Sequence, residues 1–248
     1  MTTSYYVPDD DTRIWRYIRL NSFLELMTGN LVQVRIDAFN DPTEGSYGLR
    51  EVTIEPTALQ AAGIKVESTA TWREDVLREA RLHALATCWF EYRTESFAMW
   101  NVYGRLGESV AIESTVGALR DALGQGGELR TTFEQGGAIR IERMRYTPAT
   151  GAISDLRELF FHKRPEFEYE QEIRSLWMLP HRVGGRVHNT GLLLQDLNKF
   201  IRKIIVAPGN RAIFPGAICS IVNAMFNVGS LRFEGEIVPS ALDEYIVT

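Results

Sequence analysis

The chain is poor in cysteine: Cys88 and Cys219 are its only two, and neither has a spacing partner. A disulfide framework is therefore not expected, and a reducing, cytoplasmic setting fits. Histidine is scarce as well. His83, His162, His181 and His188 include no helical i,i+4 pair and have no cysteine pair nearby, so a zinc site finds little support and no metal ligand is assigned. Long apolar runs are missing. The longest, Ala212 to Val228, is broken by Pro215, Asn223 and Asn227 and reads as a buried helix, not a membrane span. The N-terminal MTTSYYVPDDDTR lacks the basic and apolar regions of a signal peptide. There is no surplus of positive charge: 27 lysines and arginines against 32 acidic residues give a formal net charge of -5. That argues against a purely electrostatic binder of nucleic acid or acidic membrane and leaves a local basic site open. No repeat at solenoid period and no Gly-x-Ser-x-Gly elbow occurs.

What remains is an ordinary globular composition, 45% hydrophobic and 24% charged, with enough chain for a real core. No composition shift demands a boundary, so the expectation is a flexible N-terminus over 1–12 and a single α+β domain over 13–248. Bulky Arg13 to Leu20 predicts a first strand, followed by a short helix from Ser22 closed by Gly29. Leu31 to Ile36 alternates as a second strand, and FNDPTEG (39–45) is turn chemistry. A strand near Val52, a helix over Trp72 to Leu85 and a central strand from Leu85 to Phe90 follow. Ser96 or Thr94 caps a helix in SFAMWNVYG that ends at Gly104. Ser109 to Ile112 (strand), Thr115 to Leu123 (helix), Ala138 to Tyr146 (strand) and Ser154 to Phe161 (helix) come next. The glycines at 124, 126, 127, 136 and 137 suggest a hairpin or loop. HRVGGRVHNTG (181–191) reads as a polar loop. Leu192 to Phe200, Lys203 to Ala207, Pro215 to Phe226 and Leu231 to Val238 read as helix, strand, helix and strand. Without a βαβ rhythm, the sheet is expected to be mixed and mainly antiparallel, with flanking helices.

The chemically richest stretch is FEYEQEIRSLW (167–177), which puts Glu168, Glu170 and Glu172 at alternate positions before Arg174. On a strand these side chains share one face, neighbouring carboxylates about 7 Å apart. An active site collects such groups. A solvated edge that guards against aggregation does so too, and a helix begun by Pro165 is the other backbone reading. Trp100 and Tyr103, three apart on one helix, are either core or an aromatic wall for a planar ring. Arg16, in an aromatic strand, must pair with a carboxylate or bind an anion such as phosphate.

FNDPTEG (39–45), MWNVYG (99–104) and YEQEIR (169–174), in that order, resemble an uncharacterised bacterial protein family, a domain of unknown function. Its pattern is a basic first strand, FNDPxEG, MWxxY and ExExR. A more distant resemblance is to ADP-ribosyltransferases. Arg16 with the helix after it is similar to their first basic strand, Glu170-Gln171-Glu172 to their Glu-x-Glu strand, and IRKIIVAP (201–208) to the strand that follows. Their Ser-Thr-Ser triplet is missing, with Thr94-Glu95-Ser96 or Ser114-Thr115 as substitutes.

The resemblance implies a split-sheet α+β fold and an NAD-dependent transferase, such as a bacterial toxin or phage-defence effector. NAD would be the substrate, and a protein or nucleic acid the acceptor. Glu172 would stabilise the oxocarbenium-like charge and Glu170 would orient or deprotonate the acceptor. Arg16 would hold the pyrophosphate, Trp100 and Tyr103 would line the ring pocket, and Asn40 would join the NAD contacts. Arg174 would pair with Glu172 and keep it ionised. Two other readings stay open. One is a metal-dependent nuclease or phosphoesterase built on Asp41, Glu44, Glu170 and Glu172. The other is a non-catalytic binding module.

Overall fold

A computed structural model of the chain describes residues 6–67, 69–104, 108–125, 139–185, 187–191, 194–209, 213–227 and 232–242. Among these the strands are β1 (Arg13–Arg19), β2 (Asn30–Arg35), β3 (Val52–Ile54), β4 (Ala84–Phe90), β5 (Ser109–Thr115), β6 (Arg140–Arg143), β7 (Gly151–Ile153), β8 (Glu172–Met178), β9 (Val187–Gly191), β10 (Lys203–Val206) and β11 (Glu236–Pro239). The α-helices are α1 (Leu20–Met27), α2 (Pro56–Ala61), α3 (Trp72–His83), α4 (Phe97–Val102), α5 (Val116–Gln125), α6 (Leu194–Phe200) and α7 (Ile213–Asn227). The fold is α+β and mainly antiparallel. Among registered pairs, β3 with β7 and β10 with β11 run parallel, whereas β1–β4, β1–β5, β5–β10, β2–β4 and β6–β8 run antiparallel. No helix among the described residues is long and apolar enough to cross a membrane.

The chain packs as two compact units. The first comprises Met1–Pro8, Val32–Cys88 and Glu128–Asn189. In it β6 lies against β8 with Arg140 opposite Leu176 and Arg143 opposite Ile173. Helix α3 supplies the apolar face: Val76, Leu77 and Ala80 recur at helical spacing and are buried with Phe160, Phe161, Leu176 and Met178 in one core. Its charges suit the helix dipole, with Glu74 and Asp75 in the first turn and Arg81 and His83 in the last.

The second unit comprises Asp9–Leu31, Trp89–Gly127 and Thr190–Thr248. Its strands run β11, β10, β5, β1 in order, and β1 matches β5 residue for residue from Arg13–Thr115 to Arg19–Ser109. Trp15, Tyr17, Phe90, Met99, Trp100 and Ile205 form its aromatic core. Ser96 caps α4 as expected, its hydroxyl accepting from Met99 N.

Several expectations need correction. Residues 181–191 are not all loop, since Val187–Gly191 is a strand. The helical turn expected over Ser154 to Phe161 is a 3-10 helix over Leu156–Phe161, because the Asp155 carboxylate accepts from Arg157 N and tightens the first turn. The hairpin or loop expected around residues 126–137 lies outside the described residues.

Candidate functional site

The predicted strand from Phe167 does not form over its first half. Pro165–Glu170 is a 3-10 helix, Gln171 stands in the left-handed region at φ 43° and ψ 51°, and β8 starts only at Glu172. Pro165 causes the difference: its fixed φ suits the first position of a helical turn and has no N–H to offer a ladder. Gln171 then redirects the chain. As a result Glu170 and Glu172 do not stand side by side on a pleat but converge on a single ammonium group. Lys163 Nζ lies 2.5 Å from Glu170 Oε2 and 3.1 Å from Glu172 Oε2. The lysine is held from behind, for its N–H donates to the Arg145 carbonyl at 2.9 Å, beside the bridge between Arg145 and His162.

Arg174 extends the cluster. Its Nε donates to Glu172 Oε1 at 2.7 Å, and its Nη1 donates to Glu44 Oε1 and to the Phe160 carbonyl, both at 2.7 Å. Glu44 arrives on FNDPTEG, a turn closed by Asp41, whose carboxylate accepts from Thr43 N at 2.8 Å and from its hydroxyl at 2.7 Å. Gly45 is required next to it: at φ +73° a Cβ would meet the Phe160 ring at 2.7 Å. Arg81 of α3 donates to the carbonyls of Pro42 and Glu44 and fixes the turn from the other side. The Glu172 N–H donates to the Tyr146 hydroxyl at 2.9 Å, and the Cys88 thiol lies beside the Glu172 carboxylate. The Phe39 ring lies 5.3 Å from the Arg174 guanidinium and the Phe167 ring 4.8 Å from the Lys163 ammonium.

Glu44, Glu170 and Glu172 thus share Lys163 and Arg174, with Asp41, Arg81 and Arg164 beside them, in a place where Arg174 is 0% and Glu172 3% exposed. Burial opposes ionisation of Glu172, but Arg174 and Lys163 outweigh it and hold the carboxyl down at about 2. Burial likewise works against the charged Lys163, and the surrounding carboxylates, Glu172 first, overcome it and raise the ammonium pKa. Burial also resists ionisation of Asp41, yet its two bonds to Thr43, then Arg164 and Lys163, lower its pKa. The Cys88 thiol is pushed up, chiefly by burial and next by Glu172. One donor is left over: Arg174 Nη2 is buried with no hydrogen-bond partner. An orphaned guanidinium N–H and a left-handed glutamine each cost about 1–3 kcal/mol. Costs of that kind, gathered on one buried charge cluster, mark a functional site more than a structural one.

The expected pairing of Arg174 with Glu172 is present. Asn40 is exposed on the FNDPTEG turn, in the same unit as Glu170 and Glu172. Arg16, Trp100 and Tyr103 belong to the second unit. Arg16 sits on β1 opposite Ile112, its guanidinium 5.6 Å from the Trp89 ring centroid. Trp100 occupies the core: it has no exposure, its indole N–H donates to Glu95 Oε2 at 3.1 Å, and Tyr17 meets it edge-on at 4.8 Å. Tyr103 is exposed, with its ring 4.9 Å from that of Phe90. Of the hydroxyls offered as substitutes for a Ser-Thr-Ser triplet, those of Ser96, Ser114 and Thr115 are engaged in local structure. Ser96 and Thr115 cap helices, and Ser114 donates to the Phe200 carbonyl at 2.6 Å.

Among the described residues no group of three or more histidine, cysteine or acidic side chains is placed to hold a metal ion. Arg174 and Lys163 already supply the positive charge that a hard cation would bring to Glu44, Glu170 and Glu172. Sequence reasoning missed Lys163 and Cys88 as partners of the pair. The signal was slight, a basic residue seven positions before Glu170 and a cysteine in an apolar strand.

No protein-family profile matches the chain, and no curated protein matches it. Among solved structures it is similar to Thermus sp. 2.9 DarT in complex with carba-NAD+, at 11% identity and a TM-score of 0.41, over 96% of this chain and 99% of that one. It is similar to the same protein in complex with NAD+, at 9% identity and a TM-score of 0.40, over 96% and 98%. The complex of that protein with ADP-ribosylated ssDNA matches at 9% identity and a TM-score of 0.39, over 94% and 96%.

Proposed function

We propose that the chain is an NAD-dependent ADP-ribosyltransferase-like enzyme whose reaction centres on Glu170 and Glu172. One observation carries the reading: a buried cluster in which Glu44, Glu170 and Glu172 converge on Lys163 and Arg174 at the start of β8. In the reaction the bond between ribose C1′ and the nicotinamide nitrogen breaks, and neutral nicotinamide leaves with the electron pair. Positive charge develops on the ribose, and a fixed carboxylate held ionised stabilises it without reorganising. Glu172 takes that role. Glu170 orients the acceptor and accepts its proton as the new bond to C1′ forms. Arg16, Tyr103 and Asn40 are proposed NAD contacts; Trp100, wholly buried, is not among them. The acceptor is a protein or a nucleic acid, and a toxin or phage-defence role fits such an activity.

Nicotinamide release and label transfer from NAD labelled in the adenylate portion test the proposal. Wild type should release nicotinamide, and Glu170→Gln and Glu172→Gln should each lower the rate at least about 100-fold. NAD binding should persist in any variant that keeps a cooperative thermal transition. Undiminished rates in both folded variants, or a wild type that neither binds nor consumes NAD, would sink the assignment.

A further inference from the structure

Behind the strands that carry the Glu172 cluster, the first unit buries a second set of polar groups, and these are uncharged. β2 and β4 are antiparallel, with Val34 opposite Ala86 and Arg35 opposite Leu85, so one step further Gln33 stands opposite Thr87. β8 pairs with β4 along its other edge. The ends of the two strands fix their direction. The Leu179 N–H, just past β8, donates at 2.9 Å to the carbonyl of His83, just before β4. Glu172, at the start of β8, lies beside Cys88 near the end of β4. The pair is therefore antiparallel, and counting back from Leu179 and His83 puts Arg174 opposite Cys88 and Ser175 opposite Thr87. Gln33, Thr87 and Ser175 form one row across three strands, with Ile141 of β6 next in line. Neighbouring Cβ atoms in such a row are about 5 Å apart.

The pleat sends this row to the face opposite the cluster. Ala84, Ala86, Leu176 and Met178 enter the α3 core, and Thr87 and Ser175 alternate with them. Gln33 and Thr87 are 1% exposed and Ser175 0%. Gln33 Nε2, Thr87 Oγ1 and Ser175 Oγ all lack a hydrogen-bond partner. One such atom is uncommon in a folded interior, and three aligned on adjacent strands call for a common cause. Packing alone does not supply it, because leucine, valine and alanine would fill the same positions without burying an unmatched polar group.

We infer that the row is a buried-water site: ordered water, one molecule or a hydrogen-bonded pair, accepts from Gln33 Nε2 and bridges the hydroxyls of Thr87 and Ser175. Two hydroxyls that face each other across a strand pair and do not bond directly are joined by one intervening oxygen, and a buried water commonly satisfies about three such groups. The row offers no carboxylate to a metal ion and no cation to an anion. Leu85, Ile141, Ile173 and Trp177, all buried, flank it on the same face and suit a ligand of one or two polar atoms. Water there ties β2, β4 and β8 together one residue away from Cys88 and Arg174, on the reverse side of the strands that hold Glu172. The inference is independent of the ADP-ribosyltransferase reading.

A high-resolution crystal structure of the full chain tests it directly. Water density is expected within about 3.2 Å of both hydroxyls and of Gln33 Nε2. Hydroxyls bonded to each other, or no density between the members of the row, would overturn the inference. In solution, Thr87→Val and Ser175→Ala each take a partner from the water and should raise the unfolding equilibrium constant about three- to tenfold. The double variant should raise it by less than the product of the two, because a water already short of one partner has less to lose with the other. Unmatched hydroxyls in a dry row predict the opposite: each variant removes a buried cost, the unfolding constant holds or falls, and the two effects are independent. That outcome rejects the site. Gln33→Met gives the same discrimination if either of the other variants fails to fold.

Discussion

The two units bury polar groups in opposite ways. In the second unit, most of the neutral donors taken in are paired, the Trp89 indole N–H being an exception. Trp15 donates to the Tyr92 carbonyl at 2.8 Å, the Ser96 N–H to the Tyr17 hydroxyl at 2.7 Å, and Trp100 to Glu95. In the first unit, full charges are buried and paired with one another, and several buried donors, Arg174 Nη2 among them, are left unmatched. An aromatic core with matched donors is what stability alone favours. A buried ion-pair cluster is not, because apolar residues of similar volume are often as stable or more so. The contrast separates a unit built around packing from one whose interior is arranged for chemistry.

The strongest way to break that contrast is to remove one charge. Arg174→Met takes the guanidinium from Glu44 and leaves Glu172 with Lys163 alone in a buried site, and it should cost about 3–5 kcal/mol at neutral pH in urea unfolding. The loss should shrink on acidification as the stranded carboxylates take up protons. A variant as stable as wild type at pH 7 would mean that the cluster is no more demanding than a surface pair.

Acid should reveal the same asymmetry in the wild type. Glu172 is held at about 2 by Arg174 and Lys163 against burial. Glu158 is also held at about 2, by His162, Arg140 and Arg145 against burial, and Asp155 is lowered against burial by Arg157 and then Arg140. All of these lie in the first unit. Folded values below the unfolded ones give stability that is present above the ordinary carboxylate range and lost as pH falls through the folded values. Unfolding free energy should therefore fall between about pH 5 and pH 2, by roughly 2–3 kcal/mol for a buried carboxyl depressed this far. Amide exchange should show first-unit protection declining before that of the second. Uniform loss across both units would erase the distinction.

Trp100→Phe probes the other side of the comparison. It removes the indole N–H from Glu95 while keeping most of the ring, so about 1–2 kcal/mol is expected. Glu95 still accepts from the Ser240 hydroxyl and the Ala241 N–H, both at 2.6 Å. The cost should be flat from pH 5 to 8, in contrast to Arg174→Met, and a strongly pH-dependent cost would erase that contrast.

How far the site was legible from sequence follows from the range of its interactions. Features set by neighbours in the chain were readable: the β1 strand, the Ser96 cap, the FNDPTEG turn, and the Glu172–Arg174 pair two residues apart. The Glu44–Arg174 bond joins residues 130 apart, and nothing local to either one announces it. Lys163 was passed over because its link to Glu170 depends on a 3-10 turn that a period-two count of carboxylates conceals. Trp100 was ambiguous for a different reason: helical spacing places it beside Tyr103, but burial is decided by β1 and β5 packing beneath it.

The smallest expected effect tests the joint that creates the site. Gln171 holds a left-handed conformation, which costs a side-chain-bearing residue about 1–2 kcal/mol. Gln171→Gly removes that cost but adds roughly 0.5–1 kcal/mol of unfolded-chain entropy, so a net gain of about 0.5 kcal/mol is expected. Gln171→Val should do the reverse and more, since a β-branched side chain tolerates this region poorly. If the left-handed turn is what brings Glu170 back to Lys163, the valine variant should also free Glu170 from the ammonium. NAD turnover should then fall in Gln171→Val further than the loss of stability accounts for, and hold in Gln171→Gly. Equal stability and turnover in glycine, glutamine and valine would mean that the two carboxylates meet on Lys163 without help from the backbone, and the first unit's costs would then lie in its ion pairs alone.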